Sequence, residues 1–313
     1  MCPVGIRRPT ARVPRRLLVL LAWLLLPLPA ALAQTPVPEP APDEQKPPVW
    51  APTATRTIRL FPGSEIYPAY LADPHQPSTG VVVGFYTRTR IPDSRSPRTA
   101  LSTGGHFGVL RLASTVPTGR TWQLSIVAAF DAMFDSQYRA DVMGWDGDYG
   151  LTVTTASGRW PFDFKAAILH TSSHLGDEYA ERTGATRVNY TREELAFGVA
   201  LRLRPRLRAY GEVGAAYIMR SSGQERWRWQ GGLEYQTRPT VFGGRMAWYA
   251  AADFSGMQER DWRLDNALQG GLVTRSGDQA YRVFVQWHDG RPTLGQFTTY
   301  SEASLSLGLK IEL

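Results

Sequence analysis

Residues 226–236 read RWRWQGGLEYQ, and this short stretch carries the clearest structural signal in the chain. Trp227, Trp229 and Leu233 occupy alternate positions, while arginine, glutamine and glutamate occupy most of the positions between them. Successive side chains of a β-strand point to opposite faces of the sheet. The stretch therefore predicts a strand with one apolar, aromatic face and one charged face.

The same alternation recurs from residue 80 to the C-terminus, for example in residues 121–130 (TWQLSIVAAF), 280–287 (AYRVFVQW) and 301–313 (SEASLSLGLKIEL). About twelve such strands are joined by connections that alternate between short and long. This is the pattern of bacterial outer-membrane barrels. We therefore predict an all-β protein, a transmembrane antiparallel β-barrel of about 12 strands over residues 80–313, with both termini in the periplasm.

A soluble, secreted β-sandwich is the main alternative, because its strands also alternate between apolar and polar residues. However, aromatic residues would face outward and charged residues such as Arg202, Glu212 and Arg228 would face inward. Such a pairing on strand after strand favours a barrel in lipid. The sequence leaves open whether the polar lumen conducts ions.

The N-terminal region reads as a leader followed by a spacer. Residues 1–33 combine an arginine-studded start, a short apolar run and Ala31-Leu32-Ala33, the features of a cleaved signal peptide. Residues 34–58 are proline-rich and predict a disordered tether. Residues 59–79 contain too many prolines for a central strand, so we expect an irregular segment packed at one end of the barrel.

The charge of the mature chain argues against nucleic-acid binding, and its lack of cysteine argues against disulfides and thiol catalysis. The formal net charge is +7, but five arginines lie in the leader, so its removal leaves +2. No basic cluster interleaved with aromatics is present, and nucleic-acid binding is not expected. The only cysteine, Cys2, lies in the leader, so the mature chain has neither a disulfide nor a thiol nucleophile.

One polar stretch, residues 169–179 (LHTSSHLGDEY), follows a predicted strand at its outer end. Continuing the parity of that strand places His170 and Ser172 on the outward, lipid-facing side. The descending partner strand carries Glu193, expected near His170, and Asn189, expected nearer the loop. A histidine base, a serine nucleophile and a carboxylate or carboxamide that orients the imidazole form an acyl hydrolase site.

This outward His-x-Ser with a polar partner on the next strand resembles outer-membrane phospholipase A and the smaller lipid A 3-O-deacylase. The resemblance implies that His170 is the base and Ser172 the nucleophile, with Asn189 or Glu193 as the third member. Both families continue the motif with asparagine and a small residue, where this chain has Ser173 and His174.

A longer resemblance covers nearly the whole mature chain. The segments LFPGSEIYPAYLADPHQP, HTSSHLGDEY with VNYTREEL, YGEVGAAYIMR, GGLEYQTR and HDGRPTLGQF carry it. They are similar to an uncharacterised bacterial outer-membrane protein family, domain of unknown function 1207. The resemblance implies a barrel in the outer membrane and no particular activity.

Three other interpretations of the polar stretch and the barrel remain. The stretch can be an ordered surface loop without catalysis. Alternatively, Asp177 and Glu178 can offer oxygen ligands to calcium, although they lack the fixed spacing of a dedicated calcium loop. The barrel itself can be a passive pore.

The expected partners follow from the predicted location. They are outer-membrane lipids, lipopolysaccharide and the barrel assembly machinery, with no nucleic acid. The oligomeric state is left open by the sequence.

Overall fold

The structure is a computed structural model that describes residues 56–94, 97–116 and 118–312. The predicted signal peptide, residues 1–33, and nearly all of the predicted tether lie outside these described residues. Within the described part of the chain, helices are short, and none has the length and apolar content to cross a membrane.

Thirteen antiparallel strands form one sheet. They are β1 (Arg56–Leu60), β2 (Thr79–Thr89), β3 (Arg98–Ser114), β4 (Arg120–Asp135), β5 (Asp141–Ser157), β6 (Phe162–Leu175), β7 (Tyr190–Arg204), β8 (Leu207–Met219), β9 (Trp227–Gln236), β10 (Ala247–Met257), β11 (Asp265–Ser276), β12 (Gln279–Gly290) and β13 (Glu302–Glu312). Strands β2 to β13 pair in chain order, and β13 also pairs with β2, which closes the sheet. The prediction of a twelve-stranded, all-β antiparallel barrel is confirmed.

The two ends of the barrel differ in their connections. Most connections at one end, here called the turn end, are short, and the longest ones lie at the other, the loop end: residues 176–189 and 291–301. Thr79 pairs with Ile311, so the barrel begins and ends at the turn end. Residues Arg238-Pro239-Thr240 are typical of a tight turn, but the connection between β9 and β10 is longer and spans residues 237–246.

Side chains alternate across the barrel wall as the sequence predicts. On β9, Trp227, Trp229 and Leu233 are exposed on the outside, whereas Gln230 and Glu234 are buried inside. Buried polar groups require partners. The interior of the barrel is therefore a hydrogen-bonded, charged core rather than an apolar one.

An ion-pair network fills much of this core. Glu212 receives Lys165 Nζ at 2.5 Å and an Arg228 nitrogen at 2.7 Å. Arg228 also contacts Glu194, which in turn pairs with Arg192 at 3.0 Å. Each buried charge thus has an opposite charge beside it, which offsets the cost of its desolvation.

The N-terminal segment differs from its prediction in two respects. Residues 56–60 form β1, which pairs with β3 at the turn end, so neither the tether nor the irregular segment has the predicted boundary. Residues 61–78 are irregular, but they enter the barrel rather than cover its end. Tyr70 stacks on Tyr210 with ring centroids 3.9 Å apart and donates a hydrogen bond to Glu212 at 3.0 Å.

Backbone groups of this segment also bind inward side chains. The Leu71 amide donates to Glu234 at 2.7 Å, and Gln286 donates to the Ala72 carbonyl at 2.8 Å. The segment is stable inside the barrel because its backbone groups, which have no strand partner, form hydrogen bonds with the buried polar side chains of the wall. Residues 61–78 thus occupy the lumen.

A second segment closes the loop end from within. Leu294 and Phe297 of the connection 291–301 belong to a buried apolar cluster with Tyr179 of helix α1 (Asp177–Thr183). The Gly295 amide donates to Asp146, and the Gln296 amide donates to Ser173, both at 2.9 Å. This connection is therefore fixed to the inner face of β5 and β6.

Candidate functional site

The outer part of β6 presents the polar stretch on both faces of the barrel wall. Its pairing with β5 and with β7 runs without a register shift, so the alternation of side chains continues to Leu175. His170, Ser172 and His174 face outward. Thr171 and Ser173 face inward, where they donate hydrogen bonds to Asp148 and Asp146. The predicted outward facing of His170 and Ser172 is confirmed.

His170 and Glu193 form the contact at the centre of the candidate site. They are direct partners in the register of β6 and β7, and His170 Nδ1 lies 2.6 Å from Glu193 Oε1. A carboxylate can only accept a hydrogen bond, so Nδ1 carries the proton. In the neutral imidazole, Nε2 then has a free lone pair that can accept a proton.

An aromatic ring completes the positioning of this histidine. Tyr149 of β5 is the register partner of His170 on its other side, and the two rings stack with centroids 4.1 Å apart. The imidazole is thus held between a carboxylate and an aromatic face. Its side chain is 13% exposed, so it stays accessible from outside the barrel.

Ser172 lies on the same outward face as His170, two residues closer to the loop end of β6. Its register partners are Gly147 of β5 and Thr191 of β7. Residues i and i+2 of a strand have Cα atoms roughly 6.6 Å apart. Among the hydrogen bonds of the described residues, none joins the Ser172 hydroxyl to His170. Catalytic hydrogen bonds often tighten only when substrate is bound, so this spacing is compatible with a nucleophile and its base.

The other predicted site residues lie farther away. Asn189 precedes β7, is exposed, and does not reach the register position beside His170, which Glu193 occupies. Asp177 and Glu178 lie in the first turn of α1, and Asp177 is paired with Arg187. No group of three or more histidine, cysteine or acidic side chains among the described residues is arranged to hold a metal ion. The calcium site stays a prediction.

Three further residues of the site were not singled out as functional in the sequence. Tyr149 stacks on His170, Trp145 stacks on His174 with centroids 4.1 Å apart, and Thr191 lies opposite Ser172. His174 belongs to β6. The sequence signal for these two stacked pairs is limited to Trp145 and Tyr149, two aromatic residues of the outward face of β5 that lie four residues apart.

A second cluster of titratable groups lies inside the barrel. A cavity of about 250 Å³ is lined by the N-terminal segment, the barrel wall and the connection 291–301, and its lining includes His75, His106, His288 and Asp131. His288 Nε2 is buried without a hydrogen-bond partner among the described residues. Asp131 accepts a hydrogen bond from the Ser102 hydroxyl, but among the described residues no histidine of this cluster is hydrogen-bonded to a serine. We therefore take the outward face as the stronger candidate.

Comparisons with known proteins bear on the fold and the family. NanC porin is 13% identical, with 75% of this chain and 99% of that chain covered and a TM-score of 0.38. Outer-membrane phospholipase A from Escherichia coli is 10% identical, with coverage of 75% and 91% and a TM-score of 0.44. The calcium-bound dimer of that phospholipase from Salmonella typhi is 9% identical, with coverage of 80% and 94% and a TM-score of 0.46. These likenesses concern the barrel fold alone.

Sequence comparison is more decisive about the family. No curated protein matches the chain. In contrast, the sequence model of one family matches residues 30–312, which is most of the chain. The chain belongs to the family described as "Protein of unknown function (DUF1207)".

Proposed function

We propose that this protein is an integral outer-membrane barrel that hydrolyses acyl esters of membrane lipids at the outward face of β5, β6 and β7. The observation that carries the proposal is the 2.6 Å contact between His170 and Glu193, with Ser172 on the same outward face. A histidine that is oriented by a carboxylate and lies near a serine hydroxyl is the arrangement of a serine hydrolase.

The position of the site on the barrel supports a lipid substrate. Just toward the turn end from His170, the outward residues are apolar and about half exposed: Leu151, Ile168, Leu195 and Phe197. Toward the loop end, the outward residues of β6 and β7 are polar, namely Ser172, His174 and Thr191, whereas β5 keeps the aromatic Trp145. In a bilayer this boundary matches the depth at which hydrocarbon meets head groups, and therefore the depth of the ester bonds.

The chemistry follows from the roles of the three side chains. Ser172 Oγ attacks the ester carbonyl carbon, and its proton passes to His170 Nε2 while Glu193 stabilises the imidazolium through Nδ1. The tetrahedral intermediate expels the alcohol, which takes the proton from Nε2. Water then enters, gives a proton to His170 Nε2 and attacks the acyl-serine carbonyl carbon. The second tetrahedral intermediate expels Ser172 Oγ, which takes the proton back from Nε2, and the fatty acid is released.

A developing negative charge on the carbonyl oxygen needs hydrogen-bond donors. Thr191, opposite Ser172, and His174, two residues along β6, flank the Ser172 hydroxyl on the outward face. We assign the stabilising role to these two side chains. His174 stands where the similar motif of outer-membrane phospholipase A has a small residue.

A passive pore receives less support from the arrangement of the described residues. Residues 61–78 occupy the lumen and make hydrogen bonds with β8, β9 and β12. The connection 291–301 is attached to the inner wall at the loop end.

The test is fatty-acid release from phospholipid and from lipopolysaccharide by the detergent-purified barrel, with and without calcium. Ser172→Ala should abolish release. Ser276→Ala, which removes an exposed hydroxyl at the turn end, should leave the rate unchanged. Absence of release from both lipids by the folded wild-type protein, with and without calcium, would contradict the proposal.

A further inference from the structure

The outward face beside Ser172 contains a gap in an otherwise aromatic row. On β5, Trp145 pairs with His174, Gly147 pairs with Ser172 and Tyr149 pairs with His170. Two aromatic residues thus stand on either side of a glycine, and each stacks on a histidine of β6. The glycine leaves an open position directly beside the serine hydroxyl.

The backbone does not require a glycine at this position. A Cβ built on Gly147 would lie 3.5 Å from Ser172 Oγ and 3.9 Å from the Trp145 ring, which are ordinary contacts. Gly150 on the same strand is different, because its Cβ would meet the Ile168 carbonyl oxygen at 2.1 Å. Space for a side chain therefore exists at Gly147 and is left empty.

The walls of this gap are apolar. Trp145 and Tyr149 have Cα atoms roughly 13 Å apart along β5, so their rings bound a slot about one side chain wide. Phe130, the register partner of Gly147 on β4, lies at the far side with its ring 5.3 Å from that of Trp145. Of the residues that the structure describes, only Gly147 stands between Ser172 and Phe130 at this level of the wall, and it carries no charge.

A hydrocarbon chain can follow the slot from Ser172 to Phe130 without desolvating a charge. A head group would bury polar atoms there without partners.

We propose that Gly147 determines the specificity of the site, because its slot seats the unbranched acyl chain of the lipid ester that Ser172 attacks. The inference rests on the proposed hydrolase function and names the part of the substrate that the wall of β4 and β5 recognises. A chain in the slot places its ester carbonyl against Ser172 Oγ. Acyl groups that are branched next to the carbonyl do not fit beside Trp145 and Tyr149.

The test uses alkyl fluorophosphonates of short and long alkyl chain as probes. Ser172 Oγ attacks phosphorus, fluoride leaves and the hydroxyl proton passes to His170, so labelling reports the nucleophile without turnover. The measured quantity is the ratio of long-chain to short-chain labelling rates at Ser172. Each buried methylene contributes about 0.8 kcal/mol, so a few seated methylenes should raise this ratio above about tenfold in the wild type.

Gly147→Val should reduce the ratio to near one, and Gly147→Ala should reduce it by a smaller factor. Gly211→Val is the matched control, because Gly211 is an exposed outward glycine of β8 with open space around its Cβ and lies far from Ser172. Its ratio should equal that of the wild type. Valine is well tolerated on a strand.

The outcomes separate the two proposals. If Ser172 reacts and Gly147→Val keeps the wild-type ratio, the slot assignment is overturned and the hydrolase stands. If Ser172 in the folded wild-type barrel reacts with neither probe, the hydrolase proposal and the slot assignment both fail.

Discussion

The substitution Glu193→Gln isolates the contact on which the proposed mechanism depends. Glutamine keeps the length of the side chain and an oxygen that can accept from His170 Nδ1, so the 2.6 Å contact can persist. What disappears is the negative charge. The side chains of His170 and Glu193 are 13% and 25% exposed, so solvent screens their interaction only in part.

The magnitude follows from the two kinds of hydrogen bond. A hydrogen bond to a charged group contributes about 1.5–3 kcal/mol, and one between neutral groups about 0.5–1.5 kcal/mol. The difference between the midpoints of these ranges, about 1.3 kcal/mol, applies when His170 becomes positively charged in the transition state. It corresponds to a roughly tenfold loss of kcat. Because the ground-state contact is retained, KM should change little.

The assay is the release of fatty acid from mixed micelles, with kcat and KM measured separately for wild type, Glu193→Gln and His170→Ala. His170→Ala removes the base and should lower kcat by roughly 10² to 10⁴. Far-ultraviolet circular dichroism and the migration of the unheated barrel on gels verify folding. A Glu193→Gln enzyme with wild-type kcat, or one in which only KM changes, would refute the assigned role of Glu193.

Other predictions concern the barrel itself. Glu212→Leu leaves Lys165 and Arg228 without their shared carboxylate and should lower the free energy of unfolding by about 3–5 kcal/mol in urea titrations. Leu195→Arg should lower stability in lipid vesicles, but by less than the about 2–4 kcal/mol of an arginine at the bilayer midplane, because Leu195 lies two residues from Glu193 at the proposed head-group boundary. An unchanged stability would argue against lipid there. Replacing residues 61–78 with a glycine-serine linker should open the lumen, so planar bilayers should show conductance that the wild type lacks; a silent variant that is still folded would mean that other segments block the path.

The strands were predictable because their signal is local. Residues 226–236 alternate between aromatic and charged residues, and a period of two is sufficient to predict a strand and to assign its faces. The connection at residues 237–246 was not predictable to the same degree. A proline followed by Gly243-Gly244 interrupts the alternation without indicating how far the next strand is displaced.

The filling of the lumen was not predictable from local patterns. The prolines of residues 61–78 indicated irregular chain, but its partners are far away in sequence. Tyr70 binds Glu212, and Leu71 binds Glu234, across more than a hundred residues in each case. Only the closed barrel brings these groups together, and the periodicity of the sequence does not predict such contacts.

The candidate site was partly predictable for a geometric reason. Strand β6 and its neighbour β7 are joined by a single loop, so matching their turn ends placed His170 close to Glu193, as the register confirms. Tyr149 and Gly147 escaped notice because their roles depend on the register of β5 against β6. A shift by one residue would have moved both to the inner face.

The most direct measurement of the central claim is mass spectrometry of the intact barrel after brief mixing with an activated long-chain acyl ester, followed by peptide mapping. The account predicts one added acyl group, located on Ser172, that forms more slowly in Glu193→Gln and is absent from Ser172→Ala. A folded barrel that acquires no acyl group, or acquires it equally in Ser172→Ala, would contradict the claim that this outward face is a hydrolase site.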